Sequence, residues 1–379
     1  MSVLVVAVIV TALVFDFTNG FHDTANAMAT SIATGALRPK VAVLLAGALN
    51  LVGAFLSVAV AKTISGGLVN EARITPVVIF GGLLGAIVWN LLTWLLSLPS
   101  SSSHALFGGL IGATWVYAGS DAIQFSNVAS KVLLPLVLSP VVAGVVALVA
   151  TAVLYRIARR VEQGTLTSFF RRTQVVSASM VALSHGTNDA QKTMGVITLT
   201  LVTVGLLPAS ADPPLWVIAS CAVAIASGTA LGGWRIIRTL GRRISDIQSP
   251  QGFVAESSTT AVILTSSHLG FPLSTTQVAT GSIFGASRGR RGATVRWGVA
   301  RRMALAWLLT LPASAVIGAL ATQLAATGTA GTVAVAVLTA GVALGIYGMS
   351  RRGPVTGDNV NDAPAPVAVL TPAPVDRAA

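Results

Sequence analysis

The 379-residue chain has few charges, few carboxylates and almost no thiols. Only 9% of its residues are Asp, Glu, Lys or Arg, while 54% are hydrophobic. That is far below the roughly one-quarter of residues that are charged in a typical soluble domain. The single cysteine, Cys221, lies in an apolar stretch, which excludes a disulfide framework and a thiolate metal cluster. Short segments of alternating polarity, the mark of a membrane β-barrel, are missing. So is an HExxH metalloprotease motif. The first apolar run, Val3–Phe15, has neither a basic n-region nor a small-residue cleavage site, so it is not expected to be a cleaved signal peptide.

What the chain does have is apolar runs from end to end. Val41–Ala61, Val77–Leu98, Val132–Leu154, Trp216–Trp234 and Met303–Leu324 each approach or exceed the roughly 20 residues that a helix needs to cross the hydrocarbon core. They predict an all-α, polytopic membrane protein. The net charge of +12 comes mostly from arginines in short loops: Arg156 to Arg172, Arg235 to Arg243, Arg288 to Arg302, and Arg351 with Arg352. Arginine-rich loops between spans mark the cytoplasmic side of a multi-pass protein of the inner (cytoplasmic) membrane. The basic charge therefore points to the lipid bilayer as partner and not to nucleic acid. The Pro- and Ala-rich end, residues 351–379, reads as a disordered tail.

Against this background "SHGTNDAQKTMG" (184–195) is costly. Asp or Lys at the centre of a membrane helix costs about 2.5–3.5 kcal/mol, so such residues are functional by default. Of the twelve carboxylates only Asp16, Asp23, Asp189 and Glu256 fall within or at the edge of apolar spans. The motif also has a second copy. "NGFHDTANAMAT" (19–30) aligns with "HGTNDAQKTMGV" (185–196), pairing Asp23 with Asp189. "LPSSSSHALFGGLIGA" (98–113) aligns with "FPLSTTQVATGSIFGA" (271–286), pairing Ser101 with Ser274 and Gly108 with Gly281. Two matches in the same order and at nearly the same spacing indicate a duplicated chain. Residues 1–155 form one membrane repeat, 156–172 a basic cytoplasmic loop, and 173–350 the second repeat. If both repeats meet that loop on the cytoplasmic side and each crosses an odd number of times, they are inverted, as in many secondary transporters.

Inverted repeats with Gly-interrupted segments at matching positions point to a midplane site. Gly20 and Gly186 are expected to break their helices just before each Asp. In the other motif, Pro and then a Ser/Thr cluster signal a helix N-terminus, whose free N–H groups suit an anion. The hydroxyls of Ser101, Ser102, Ser103, Ser274, Thr275 and Thr276 add donors for a tetrahedral oxyanion. Carboxylates would repel that anion, so Asp23 and Asp189 are assigned to a co-transported cation, with Asn26 and Asn188 as neutral oxygen ligands.

Taken together, "GFHDTANAMAT", "SHGTNDAQKTMG", "SSSHALFGG" and "GFPLSTTQVATGSIFGA" resemble the signatures of the inorganic phosphate transporter family, the low-affinity phosphate permeases. The resemblance implies two inverted repeats, about 10–12 transmembrane helices and two re-entrant Ser/Thr-rich hairpins. It implies cation-coupled symport of inorganic phosphate by a non-enzyme with no resident cofactor, and it allows a homodimer. Members similar to this chain couple to protons and carry phosphate with a divalent metal such as Mg2+ as a neutral complex; others use Na+.

The chain departs from the sodium-coupled pattern GxNDxAN in both copies. His22 replaces the first Asn in copy one, and Lys192 stands at the position equivalent to Asn26 in copy two. An ammonium at a would-be sodium ligand position favours proton coupling, with His22 or the carboxylates titrating. Simpler readings stay open: Asp189 and Lys192 could merely neutralise each other, and Asp16, Glu256 and His268 could be local or boundary groups. Sulfate is also tetrahedral and remains an alternative cargo. His185 and Asp189, at i and i+4, could instead hold a metal in an intramembrane enzyme. The identity of any metal is left open.

Overall fold

The computed structural model describes residues 2–67, 69–209 and 211–362. It is helical, with isolated β-bridges only, among the described residues. The helices are α1 (Val3–Ala33), α2 (Pro39–Gly53), α3 (Ala59–Gly67), α4 (Pro76–Leu95), α5 (Ser102–Ala118), the single turn α6 (Phe125–Val128) and α7 (Leu134–Ile157). The expected basic loop 156–172 is shorter than that, since Arg156 lies within α7 and Arg171 and Arg172 already lie in the next helix. After the turn there come α8 (Gln163–Thr203), α9 (Leu215–Leu231), α10 (Trp234–Arg238), α11 (Ser249–His268), α12 (Thr275–Gly289), α13 (Trp297–Ala325) and α14 (Thr329–Ser350).

By length and apolarity five helices can cross a membrane: α1, α4, the rod Phe125–Arg160 that contains α7, α13 and α14. A sixth span forms if α9 and the bent segment Trp234–Arg243, which meet at 58°, are counted together. This multi-pass membrane fold has fewer apolar spans than the ten to twelve implied by the family resemblance, in part because the 41-residue α8 carries the polar motif along its middle. The lipid-facing surface is read from exposed apolar stripes. On α7, Val137, Val141, Val145 and Val149 recur every four residues and are all exposed, which is one face of a helix. Leu305, Leu309, Val316 and Leu320, spaced by four, seven and four residues, form a similar exposed face on α13.

The expected breaks at Gly20 and Gly186 do not occur. α1 and α8 run unbroken through them. The missing side chain serves packing instead: a Cβ on Gly20 would meet the Ile225 carbonyl of α9, and one on Gly186 would meet the Asn50 carbonyl of α2. Packing of small residues lets helix backbones approach where lipid supplies no hydrophobic drive. The same device fixes the outer helices. Gly108 and Gly112 of α5 lie on Leu311 and Ala315 of α13, while Gly281 and Gly285 of α12 lie on Pro140 and Gly144 of α7. Helices α4 with α5 and α11 with α12 pack as hairpins around the turns at Pro99 and Pro272.

The start of the tail, composed like a disordered segment, is packed. Val360 is buried, Arg235 Nη2 donates to Gly353 O (2.7 Å), and Arg238 Nη2 donates to Asn359 Oδ1 (2.9 Å). Composition missed this because the anchoring donors lie on α10. Residues 363–379 lie outside the described residues.

Close packing at glycine makes a sharp contrast between two positions. Gly112→Val would drive a side chain into the Ala315 carbonyl, whereas Gly348 of α14 has no neighbouring atom where its Cβ would be. Overpacking costs about 1–3 kcal/mol. Gly112→Val should therefore lower the thermal unfolding midpoint in detergent clearly, and Gly348→Val should leave it near the wild-type value.

Candidate functional site: two aspartates and two helix N-termini

Pro99 and Pro272 each end an extended turn, and the next helix starts at the hydroxyl cluster. Ser101 caps α5, accepting from His104 N (3.1 Å), and Ser274 caps α12, accepting from Gln277 N (3.3 Å). Capping by Ser satisfies one of the free amides at each N-terminus and fixes where the following hydroxyls stand. Those hydroxyls meet the motifs of the two long helices, α1 and α8.

Asp23 of α1 accepts from Ser102 Oγ (2.8 Å) and Thr276 Oγ1 (3.2 Å), and its Oδ1 lies 2.6 Å from His22 Nδ1. Asp189 of α8 accepts from Thr275 Oγ1 (3.1 Å), Asn188 Nδ2 (2.8 Å) and Lys192 Nζ (2.5 Å). His185 Nε2 lies 3.1 Å from the other Asp189 oxygen. Cross-links complete the cluster: Asn26 Nδ2 donates to Thr276 Oγ1 (3.0 Å), and Lys192 Nζ donates to Ser103 Oγ (2.5 Å). Asn188 also donates to Leu273 O (3.1 Å), in the turn before α12.

All twelve predicted site residues are thus brought together or lie directly beside the cluster. Each is buried; Asn26, at 6%, is the most exposed. The hydroxyls expected to serve an anion and the carboxylates expected to serve a cation form one cluster rather than two sites. Asp23, His185 and Asp189 bring ligand atoms within 4.8 Å of one another, close enough to share one cation. With His22 and His185 neutral, two carboxylates and one ammonium leave the centre about one charge short of neutral. A proton or a metal ion would correct this, and an anion would need such a cation with it.

The arrangement matches a known group of proteins. The sequence profile described as the phosphate transporter family matches residues 19–318. The chain belongs to this family. It is 55% identical over 361 residues to a "Probable low-affinity inorganic phosphate transporter" of Mycobacterium tuberculosis (strain ATCC 25618 / H37Rv), covering 94% of this chain and 87% of that one. It is 42% identical over 321 residues to a protein of the same description from Bacillus subtilis (strain 168), covering 84% and 96%. Among solved structures, one titled "The sodium-dependent phosphate transporter" superposes with a TM-score of 0.76 at 22% identity, over 85% of this chain and 98% of that chain. At that identity the likeness bears on the fold alone. Membership in a transporter family removes the intramembrane-enzyme reading.

Several polar residues around the site were underrated by sequence. Glu256 of α11, which could have been an interfacial group, is buried and accepts from Thr30 Oγ1 (2.6 Å), Gln174 Nε2 (2.9 Å) and Ser177 Oγ (2.5 Å). Asn50 of α2 bridges the halves, donating to Thr229 Oγ1 (2.7 Å) and lying 3.3 Å from His185 Nδ1. Its position inside an apolar run was the available signal. Asp16 is buried on α1, and neither carboxylate oxygen has a hydrogen-bond partner. His104 lies buried at the start of α5, and its Nδ1 has no partner; His268 is exposed at the end of α11.

The Asp189–Lys192 pair is fully buried, so removing one member leaves the other uncompensated. Breaking such a pair costs about 3–5 kcal/mol, whereas replacing both members can be near neutral. Asp189→Asn should lower the thermal midpoint more than the double variant Asp189→Asn/Lys192→Met. Calorimetry of the purified protein in detergent checks the order.

Proposed function

We propose that the chain is a secondary active symporter that imports inorganic phosphate across the cytoplasmic membrane. Coupling is to protons, and phosphate travels with a divalent metal ion. One observation carries this reading: Asp23 and Asp189, from two separate long helices, meet at a centre that two Ser/Thr-capped helix N-termini also reach. The names of the relatives, which describe inorganic phosphate transporters, give the cargo.

The chemistry follows from the donors. In the cluster the protons of Ser102 and Thr275 point to carboxylates. Neutralising a carboxylate, by a proton or by a cation arriving with the anion, frees those hydroxyls to turn to phosphate oxygens. The amides and positive ends of α5 and α12, together with the Lys192 ammonium, then hold the anion. Phosphate near neutral pH can also donate a hydrogen bond to the carboxylate of Asp23 or Asp189, which sulfate cannot.

The same proposal includes two inverted repeats and two re-entrant hairpins, α4–α5 and α11–α12. Matched contacts support it. Ser102 to Asp23 parallels Thr275 to Asp189, Asn26 to Thr276 parallels Lys192 to Ser103, and His22 beside Asp23 parallels Asn188 beside Asp189. Pro140 within α7 and Pro312 within α13 sit at equivalent places. In such an arrangement the two halves would rock about a fixed centre.

The test is uptake of radiolabelled phosphate into proteoliposomes under proton or sodium gradients imposed separately, with and without Mg2+ and with excess sulfate. A proton gradient should drive uptake, Mg2+ should stimulate it, and sulfate should not compete. Sodium-driven uptake, or entry of labelled sulfate in place of phosphate, would overturn the coupling or the cargo respectively. Loss of a charge-assisted hydrogen bond, about 1.5–3 kcal/mol, predicts that Asp23→Asn and Thr275→Val each reduce uptake by about tenfold or more. Lys192→Asn should introduce sodium dependence; none appears if Lys192 is only a structural counter-charge.

A further inference from the structure

A second polar centre lies at the other end of α12. A cavity of about 930 Å³ opens there between α7, the start of α8 and the residues after α12. Arg156 and Arg159 line one side, and Arg290 and Arg291 the other. No carboxylate lines it. Among the described residues none of these four arginines forms an ion pair. Arg290 Nε is buried without a hydrogen-bond partner. Between the two arginine pairs stand Tyr155, in contact with Arg290, and Gln248, which accepts from the Tyr155 hydroxyl (3.4 Å). Four guanidiniums converging on one cleft repel each other, so the cleft is complete only with an anion that offers several acceptor oxygens.

The walls identify which kind of anion. Ala152 and Val153 form an apolar side of the cleft, and both are exposed. Val153 continues the exposed stripe of Val145 and Val149 along α7, the face assigned above to lipid. A ligand seated here would have a headgroup against the arginines and an apolar chain along α7. The cavity is far larger than a bare phosphate ion requires. Basic pockets between membrane helices on the arginine-rich side are suited to phosphate-bearing lipid headgroups.

We infer that this cleft binds an anionic phospholipid, its phosphodiester held by Arg156, Arg159, Arg290 and Arg291 and one acyl chain lying along Ala152 and Val153. The lipid would clamp α7 to α12, which already pack through Gly281, Gly285 and Gly289. The inference does not depend on the cargo or on the coupling ion.

The experiment uses the purified full chain in nanodiscs of phosphatidylcholine doped with phosphatidylglycerol, with retained lipid read by native mass spectrometry. The wild type should retain phosphatidylglycerol in preference to phosphatidylcholine. Arg156→Gln/Arg290→Gln should weaken that preference about tenfold or more, and Arg156→Lys/Arg290→Lys should keep most of it. Arg301→Gln/Arg302→Gln, which removes two exposed arginines elsewhere, should leave it unchanged. Equal loss in both Gln variants would mean general surface charge and would overturn the site, as would a wild type without preference. Displacement of the lipid by millimolar inorganic phosphate would assign the cleft to the free anion and overturn the lipid reading.

Discussion

The structure depends on one constraint: two carboxylates and an ammonium must share the interior of a bundle that lipid surrounds. Isolated, each would be expelled by its desolvation cost. Paired and supplied with hydroxyl and amide donors, they become tolerable, and every nearby element contributes to that supply. The two short helices α5 and α12 begin where Ser102 and Thr275 can donate to Asp23 and Asp189. The two long helices bring His22, Asn26, Asn188 and Lys192 to the same point. A centre built this way is poised for charge compensation. Under the proposed function, a species that neutralises a carboxylate would release donors, and an anion that took those donors would bring that species with it.

Glycine is the second constraint. Donors can reach across the centre only if the helices that carry them come very near each other. Gly20 and Gly186 permit this without breaking α1 and α8, because the neighbouring carbonyls of Ile225 and Asn50 occupy the place where a side chain would be. Gly108, Gly112, Gly281 and Gly285 hold α5 and α12 against α13 and α7 in the same manner. The outer faces of those partners bear valine and leucine stripes toward lipid. Polar residues are thereby confined to the inside, and the arginine cleft between α7 and α12 lies where the two environments meet.

Much of the candidate site was legible because charge within an apolar run is expensive and because the motif occurs twice. Asp23, Asp189 and both hydroxyl clusters follow from those two facts. Less legible was anything decided by a neighbour distant in the chain. A glycine before an Asp reads as a helix break until the opposing carbonyl is known. The pairing of hydroxyls with carboxylates, Asn26 reaching Thr276 and Lys192 reaching Ser103, needs the crossing of the two halves. Glu256 carries no local sign of its three donors, and Asn50 shows only its polarity. Fewer spans are legible by apolarity than the family resemblance implies, because α8 is long but polar in its middle. Residues 353–362 look unstructured by composition and are fixed by Arg235 and Arg238, far away in sequence.

The central claim is that a single anion site lies between the two halves, touched by both. The most direct measurement is a structure of the protein in lipid with arsenate, a tetrahedral analogue of phosphate, located by its anomalous scattering. The account predicts one principal peak between the N-termini of α5 and α12, within hydrogen-bond reach of Ser102 or Ser103 on one side and Thr275 or Thr276 on the other. A peak contacted by one half only, or found solely among the arginines beside α7, would contradict it.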